Sequence, residues 1–229
     1  MFKSPPIVVI RVPERQMGQQ YADVTSAVRA LADDFGLSVI VDGSPNSIPP
    51  ELLTTKRQTV IAVEPMSKEQ IESIPEFERL IDVLKSRHLD IPVWKVLGGS
   101  PADYLKLEEA LDKNSLMSKT ASDEVVDQVK NYVQIILSHA LNKNIFNSSL
   151  TTKQIIKILK ERNVIKIPKS ELEAMGLLLD YPNKVFREVS TLESYYIETS
   201  SPAIALLISK NIHDDVGVRE LREKLFKDI

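Results

Sequence analysis

Residues 37–71 read LSVIVDGSPNSIPPELLTTKRQTVIAVEPMSKEQI, two β-branched apolar runs joined by a polar loop with an arginine at its far end. Both runs, Ser38-Val39-Ile40-Val41 and Thr59-Val60-Ile61-Ala62-Val63, are nearly continuous, the pattern of a strand buried on both faces. Upstream, residues 6–12, PIVVIRV, read as another buried strand. Residues 23–35 then place Val24, Ala27, Val28 and Leu31 at helical spacing, with Gly36 as the C-cap. Strand, helix and strand in such close succession predict a right-handed parallel crossover, the unit of an α/β sheet. The loop 43–47 leaves the carboxyl end of the second strand, where open α/β sheets place their ligands. Residues 49–53 can start a short helix, and Arg57 leads into the third strand.

From Ser67 the pattern becomes helical. Ser67 and Gln70 have the spacing of a capping box, and Pro75 starts a helix with Phe77, Leu80, Ile81 and Leu84 on one face. In residues 93–105, VWKVLGGSPADYL, the paired Gly98 and Gly99 followed by Ser-Pro allow a sharp turn into a helix whose first amides are free. Residues 114–123, NSLMSKTASD, are polar and without period, which separates a segment 1–113 from a mainly helical segment 124–229. In the latter, Val125, Val126, Val129, Val133, Ile136 and Leu137 line a helix, a second helix starts near residue 150 through a threonine cap, and residues 171–179 read as a third. Residues 184–189 and 195–199 read as a hairpin, Pro202 opens an apolar helix, and His213-Asp214-Asp215 read as a helix start. Helices followed by a hairpin resemble a winged-helix arrangement.

The chain has 229 residues, is 43% hydrophobic and carries a formal charge of −3, enough for two modest domains and without the basic balance of a nonspecific nucleic-acid or acidic-membrane binder. It has no cysteine, so neither a disulfide framework nor a thiolate zinc site is available. The N-terminal apolar stretch is short and flanked by prolines and charges, unlike a signal peptide, and no run approaches the roughly 20 apolar residues of a membrane span. The expectation is an intracellular protein, cytoplasmic or nuclear, with no membrane partner.

Phosphoryl transfer on a phosphate-loop fold needs a glycine loop, a lysine on the terminal phosphate and a strand-end carboxylate for Mg²⁺. No Gly-x-x-x-x-Gly-Lys occurs among the seven glycines, and the strand Ile7-Val8-Val9-Ile10 runs into Arg11 and Val12, where a cation repels the metal. Glu14 stands nearby as a displaced carboxylate, weighed against a solvated loop residue. Asp42 ends the second strand as a metal carboxylate would, though capping the turn that follows is the better reading. Ser44 and Asn46 can hydrogen-bond a phosphate or a water at this strand end, and Arg57 can pair with a phosphate or a carboxylate. Gly98 and Gly99 offer backbone against which a base, ribose or anion can lie. Trp94 reads as core. His88, His139 and His213 lie far apart, and no metal site is expected. Neither a nucleophile elbow nor a carboxylate pair is visible.

In order and spacing, PIVVIRVPE, the stretch 37–67 and the WKVLGGSPADYLKL block resemble the ATPase-related domain of retrotransposon hot spot and Crinkler-type proteins, relatives of the STAND-like P-loop NTPases within the AAA/STAND group. NKVFREV followed by YYIETSSPAIALLI extends the likeness towards the end of the chain. The resemblance implies a parallel-sheet remnant of a P-loop core with the start of a helical lid, followed by a mainly helical, winged-helix-like C-terminal domain. It implies that residues 6–14 occupy the Walker B strand and residues 39–47 the sensor strand, with Ser44 or Asn46 as polar sensor. Arg57 takes the arginine before the next strand, and Gly98, Gly99 and Pro101 take the turn that opens the lid. The sequence departs from the family in having no Walker A loop and in carrying Arg11-Val12 for the Walker B acids.

The leading expectation is therefore a noncatalytic ATPase-like module, with no catalytic residue, acting in protein interaction, regulation or self-association within a host-directed, effector-like or mobile-element-associated system. A second reading is a fragment of a STAND-like ATPase, in which ATP and Mg²⁺ bind only when another segment or chain supplies the phosphate loop. A third is nucleic-acid binding through the C-terminal helices and hairpin, with Lys153, Lys157, Lys160 and Arg162 on or near one helix, weighed against a solvated face.

Overall fold

The computed structural model describes residues 6–12, 19–43, 52, 65–111, 121–179, 183–190 and 195–227. The expected third strand, 59–63, and the polar stretch 114–120 lie outside them. The chain is mixed α/β and mostly helical, with a small parallel pair of strands near its start. Strands β1 (Ile7–Arg11) and β2 (Ser38–Asp42) are joined through α1 (Gln19–Arg29), as the crossover reading expects, and pair in parallel from Ile7 opposite Ser38 to Arg11 opposite Asp42. Helix α1 continues into a π-helical turn (Ala30–Asp34) and stops where Gly36 takes φ +62°, a left-handed backbone that a side chain would strain.

Two readings of this region are corrected. The strands are not buried on both faces: Ile7, Val9 and Ile40 share one face at 65, 61 and 52% exposure, while Val8, Ile10, Val39 and Val41 opposite are half-buried. A continuous β-branched run does not reveal whether a second layer covers its outer face. Along α1 the buried residues are Thr25 and Val28, with Val24 and Leu31 half-buried, and Ala27 is exposed. Val24, Val28 and Leu31 keep the inward stripe, and one position changes: the β-branched hydroxyl of Thr25 faces inward in place of Ala27.

Beyond residue 65 helices dominate. In α2 (Lys68–Glu72) the capping box forms as the sequence indicates: Gln70 N donates to Ser67 Oγ at 3.2 Å and Ser67 N donates to Gln70 Oε1 at 2.8 Å. A 3₁₀ turn (Pro75–Phe77) leads into α3 (Glu78–Ser86), which buries Leu80, Ile81 and Leu84 beside Phe77. Helices α4 (Asp90–Leu97) and α5 (Pro101–Ala110) follow, separated by the glycine turn. Helix α6 (Asp123–His139) starts at Ser122, buries Val125, Val126, Val129, Val133 and Leu137, and runs into a second π-helical turn (Ala140–Phe146).

Helix α7 (Leu150–Arg162) is capped by Ser149, whose Oγ accepts from Thr152 N, and not by a threonine. Thr152 is instead fully buried. The third expected helix is shorter and starts earlier, as α8 (Lys169–Ala174) ahead of Gly176 at φ +71°. It follows β3 (Lys166–Pro168), a strand too short for sequence period to reveal. Strands β4 (Phe186–Ser190) and β5 (Tyr195–Thr199) form the expected antiparallel hairpin, and β3 joins its other side to give the order β3-β5-β4. Helix α9 (Pro202–Ser209) is followed by α10 (Asp215–Leu225), whose first turn is capped by Asp214 accepting from Gly217 N at 2.7 Å. One hydrophobic cluster runs from Ile71 to Phe226, across the expected division at 113–124.

A polar knot fixes α7 to the hairpin. Asn183 Nδ2 donates to Thr152 Oγ1 at 2.7 Å, and Asn183 Oδ1 accepts from Val185 N and Phe186 N at 3.0 and 2.8 Å. Both side chains are buried. Asn183→Leu keeps the branching at Cγ but strands two backbone donors, so it is expected to destabilise the chain by about 3 kcal/mol in denaturant unfolding, against under about 1 kcal/mol for an exposed Asn142→Leu control.

Candidate functional site

The register of the parallel pair brings Arg11 and Asp42 side by side at its carboxyl end. Arg11 Nε donates to Asp42 Oδ2 at 2.9 Å, and Val12 N extends the ladder to Asp42 O at 2.8 Å. The carboxylate proposed as a turn cap or metal ligand thus faces a guanidinium. Both side chains are largely exposed, so the pair adds at most about 1 kcal/mol. Its consequence is electrostatic: a positive group lies where a strand-end metal would have to sit. Glu14, Ser44, Asn46 and Arg57 lie outside the described residues, so the contacts expected of them are not among those described. Among the described residues no group of three His, Cys, Asp or Glu side chains converges.

Gly98 and Gly99 are both buried, and among the described residues no hydrogen bond or ion pair joins them to Arg11 or Asp42. Gly98 closes α4, its N–H donating to Trp94 O at 2.9 Å, with φ +60° and ψ −144°. A β-carbon there would lie 2.5 Å from Pro202 Cγ. At Gly99 a β-carbon would lie 1.8 Å from Met66 O, and Met66 N donates to Gly99 O at 3.0 Å. The space beside both glycines is therefore taken by the chain itself, by the start of α9 and by the residue before the Ser67 cap. Trp94 is half-buried against the core, in keeping with its reading as a packing residue.

A partly buried ionic chain secures the same region. Lys68 Nζ bonds Asp90 Oδ2 at 2.7 Å and lies 3.7 Å from Glu72, which Lys85 Nζ also reaches at 2.7 Å. These four residues tie α2 to α3 and α4. The hydrogen bond to Asp90 holds the Lys68 ammonium above its usual pKa against the opposing effect of burial. Tyr104 on α5 is buried against Phe77, with ring centroids 5.8 Å apart, and burial, aided by Glu72 and Asp90, pushes its phenol well above the usual range. Tyr132, whose hydroxyl donates to Asp103 O at 3.3 Å, is pushed up to about 12, chiefly by burial.

The basic run on α7 is dispersed. Lys157 lies 3.8 Å from Glu161, Arg162 pairs with Glu171, and Lys160 faces His213 from across the fold. On the three-stranded sheet, Arg187 Nε bonds Glu198 Oε1 at 2.7 Å, Lys169 bonds Glu188 at 3.0 Å, and Lys166 Nζ lies 4.8 Å above the Tyr196 ring. The meeting of Lys160 with His213 was missed in the sequence because 53 residues separate them. The local signal was an asparagine within two residues of each of the two helix ends concerned, Asn163 and Asn211. Comparison of the chain with protein-family models, curated proteins and solved structures found no match.

Gly99→Ala must displace backbone rather than a flexible side-chain tip, so a loss of at least about 2 kcal/mol in unfolding free energy is expected. The raised pKa of Lys68 and of Tyr104 both act in one direction with pH. Above about pH 10 the unfolded chain loses these protons while the folded chain keeps them, so stability is complete below that point and falls as pH rises. Thermal unfolding between pH 8 and 11 is expected to show this decline, and Lys68→Met to make it shallower.

Proposed function

We propose that the chain is a noncatalytic, ATPase-like module that works by protein contact, in the first place with a second copy of itself through the open face of its parallel sheet. The observation that carries this reading is the exposure of Ile7, Val9 and Ile40 on one face. Parallel sheets ordinarily have both faces covered, and an apolar sheet face open to water favours association. At the rim of that face stand Arg11 and Asp42, one charge of each sign. Across a two-fold axis the arginine of one copy meets the aspartate of the other, so the rim is self-complementary.

The noncatalytic part rests on the sequence, which lacks a phosphate loop, and on Arg11 beside the one strand-end carboxylate of the described pair. Preorganised charge supplies most of the stabilisation in phosphoryl transfer, and without it positioning groups have little to act on. The resemblance to the ATPase-related domain of retrotransposon hot spot and Crinkler-type proteins supports the lineage. The fragment reading, with the phosphate loop supplied from elsewhere, is favoured by micromolar ATP binding that Arg57→Ala abolishes. The winged-helix, nucleic-acid reading draws on the strand order β3-β5-β4 behind α7. Against it stands the pairing of Lys157, Arg162, Lys169 and Arg187 with carboxylates, which leaves few of these cations for phosphates.

Sedimentation of the purified chain over a hundredfold concentration range, with and without ATP and Mg²⁺, tests the proposal. Expected are a concentration-dependent dimer, its loss in the Val9→Lys and Ile40→Glu variants, and no effect or turnover of nucleotide. Magnesium-dependent ATP hydrolysis sinks the noncatalytic reading, and a monomer at every concentration sinks the self-association.

A further inference from the structure

Helices α7 and α9 end side by side, and both chains leave their helix through an asparagine in the left-handed region, Asn163 at φ +53° and Asn211 at φ +57°. Between the two ends is a cleft of about 180 Å³. Its walls are Leu159, Val164, Ile165 and Ile208, its polar lining is Asn163, Ser209 and Asn211, and its one charged lining residue is Lys160.

Lys160 differs from Lys68 and Lys169, which are also half-buried. Lys68 has Asp90 at 2.7 Å and Lys169 has Glu188 at 3.0 Å. Lys160 has no carboxylate within ion-pair distance among the described residues, and its nearest polar side chain is the His213 ring, with Nε2 at 3.5 Å. That ring nitrogen lies 2.9 Å from Asn211 Oδ1. In the tautomer whose Nε2 donates to Asn211, the ring offers Lys160 no acceptor at this nitrogen. Burial holds its pKa below the usual lysine value, with no neighbouring charge offsetting the effect. A desolvated cation of this kind ordinarily has an anionic partner.

We propose that this cleft is a binding site for a small aliphatic carboxylate, with Lys160 as counter-ion, the two asparagine amides as hydrogen-bond partners and the Leu159–Ile165–Ile208 wall against the alkyl chain. The size limits the ligand: drug-sized molecules take about 300–1,000 Å³, so a chain of a few carbons suits this volume. The charge limits it too. Two helix carboxyl ends carry negative potential towards this place, although Asn163 N, Val164 N, Asn211 N and Ile212 N bond the last carbonyls. One lysine against that potential suits a monoanion better than a phosphate dianion. The apolar wall likewise favours an alkyl carboxylate over inorganic phosphate.

Titration of the full ¹⁵N-labelled chain with butyrate, hexanoate and inorganic phosphate, followed by amide shifts, tests this directly. Saturable shifts are expected at Asn163, Val164, Ser209 and Asn211, tighter for hexanoate than for butyrate and at least about tenfold weaker for phosphate. Lys160→Met is expected to weaken hexanoate at least about tenfold and Lys160→Arg to retain most of the binding; an unchanged spectrum elsewhere identifies a folded variant. Absence of saturable shifts with either carboxylate overturns the proposal, as does hexanoate binding that Lys160→Met leaves unchanged. Phosphate binding as tightly as hexanoate overturns the ligand class.

Discussion

The helical body depends on one close approach, that of the Met66 backbone to Gly99. There is no room for a β-carbon between them, and the hydrogen bond from Met66 N to Gly99 O fixes the position of the residue that precedes the Ser67 cap. From that fixed point α2 starts in register with α4, and Lys68 arrives beside Asp90. The adjacent Gly98 performs the same office for α9 by admitting Pro202. Two glycines thus set the spacing between four helices, α2, α4, α5 and α9. A glycine pair placed for this purpose has the same sequence appearance as one placed for a ligand.

Several charges of the described residues are paired close by. Lys85, Lys169 and Arg187 meet carboxylates on neighbouring elements and Lys157 one on its own helix, which thins the basic run of α7 and the sheet as a basic surface. At the sheet the same logic joins Arg11 to Asp42 across 31 residues. Lys160 faces the His213 ring, a meeting that the packing of α7 against α9 creates, and its distinction lies in what it faces rather than in where it sits in the sequence.

What could be read beforehand was what is local. The Ser67–Gln70 box, the buried stripe from Phe77 to Leu84, the stop at Gly36, the parallel crossover and the hairpin each depend on residues within a turn or two of one another, or on period alone. What escaped depended on partners far along the chain. The outer face of β1 and β2 looks the same in sequence whether covered or bare. Ser149 displaced the threonine as cap because Thr152 was needed inside for Asn183. Strand β3 exists because β5 offers it an edge, not because KIP has a period. At the candidate site, Asp42 was recognisable as a strand-end carboxylate, but its guanidinium neighbour follows from register, and the Lys160 cleft follows from two helix ends meeting.

The contact between Gly98 and Pro202 also bears on the order in which the chain can be completed. Helix α4 is synthesised early, yet one side of it packs on α9, about a hundred residues later. Until residues 202–209 have left the ribosome, the side of α4 that packs on α9 has no final covering, and the apolar surface there is open to other contacts. Local helix formation is fast, whereas closure of so long a loop is costly in entropy. The docking of α9, a late and very apolar helix, against α4 therefore waits on the closure of a loop of about a hundred residues.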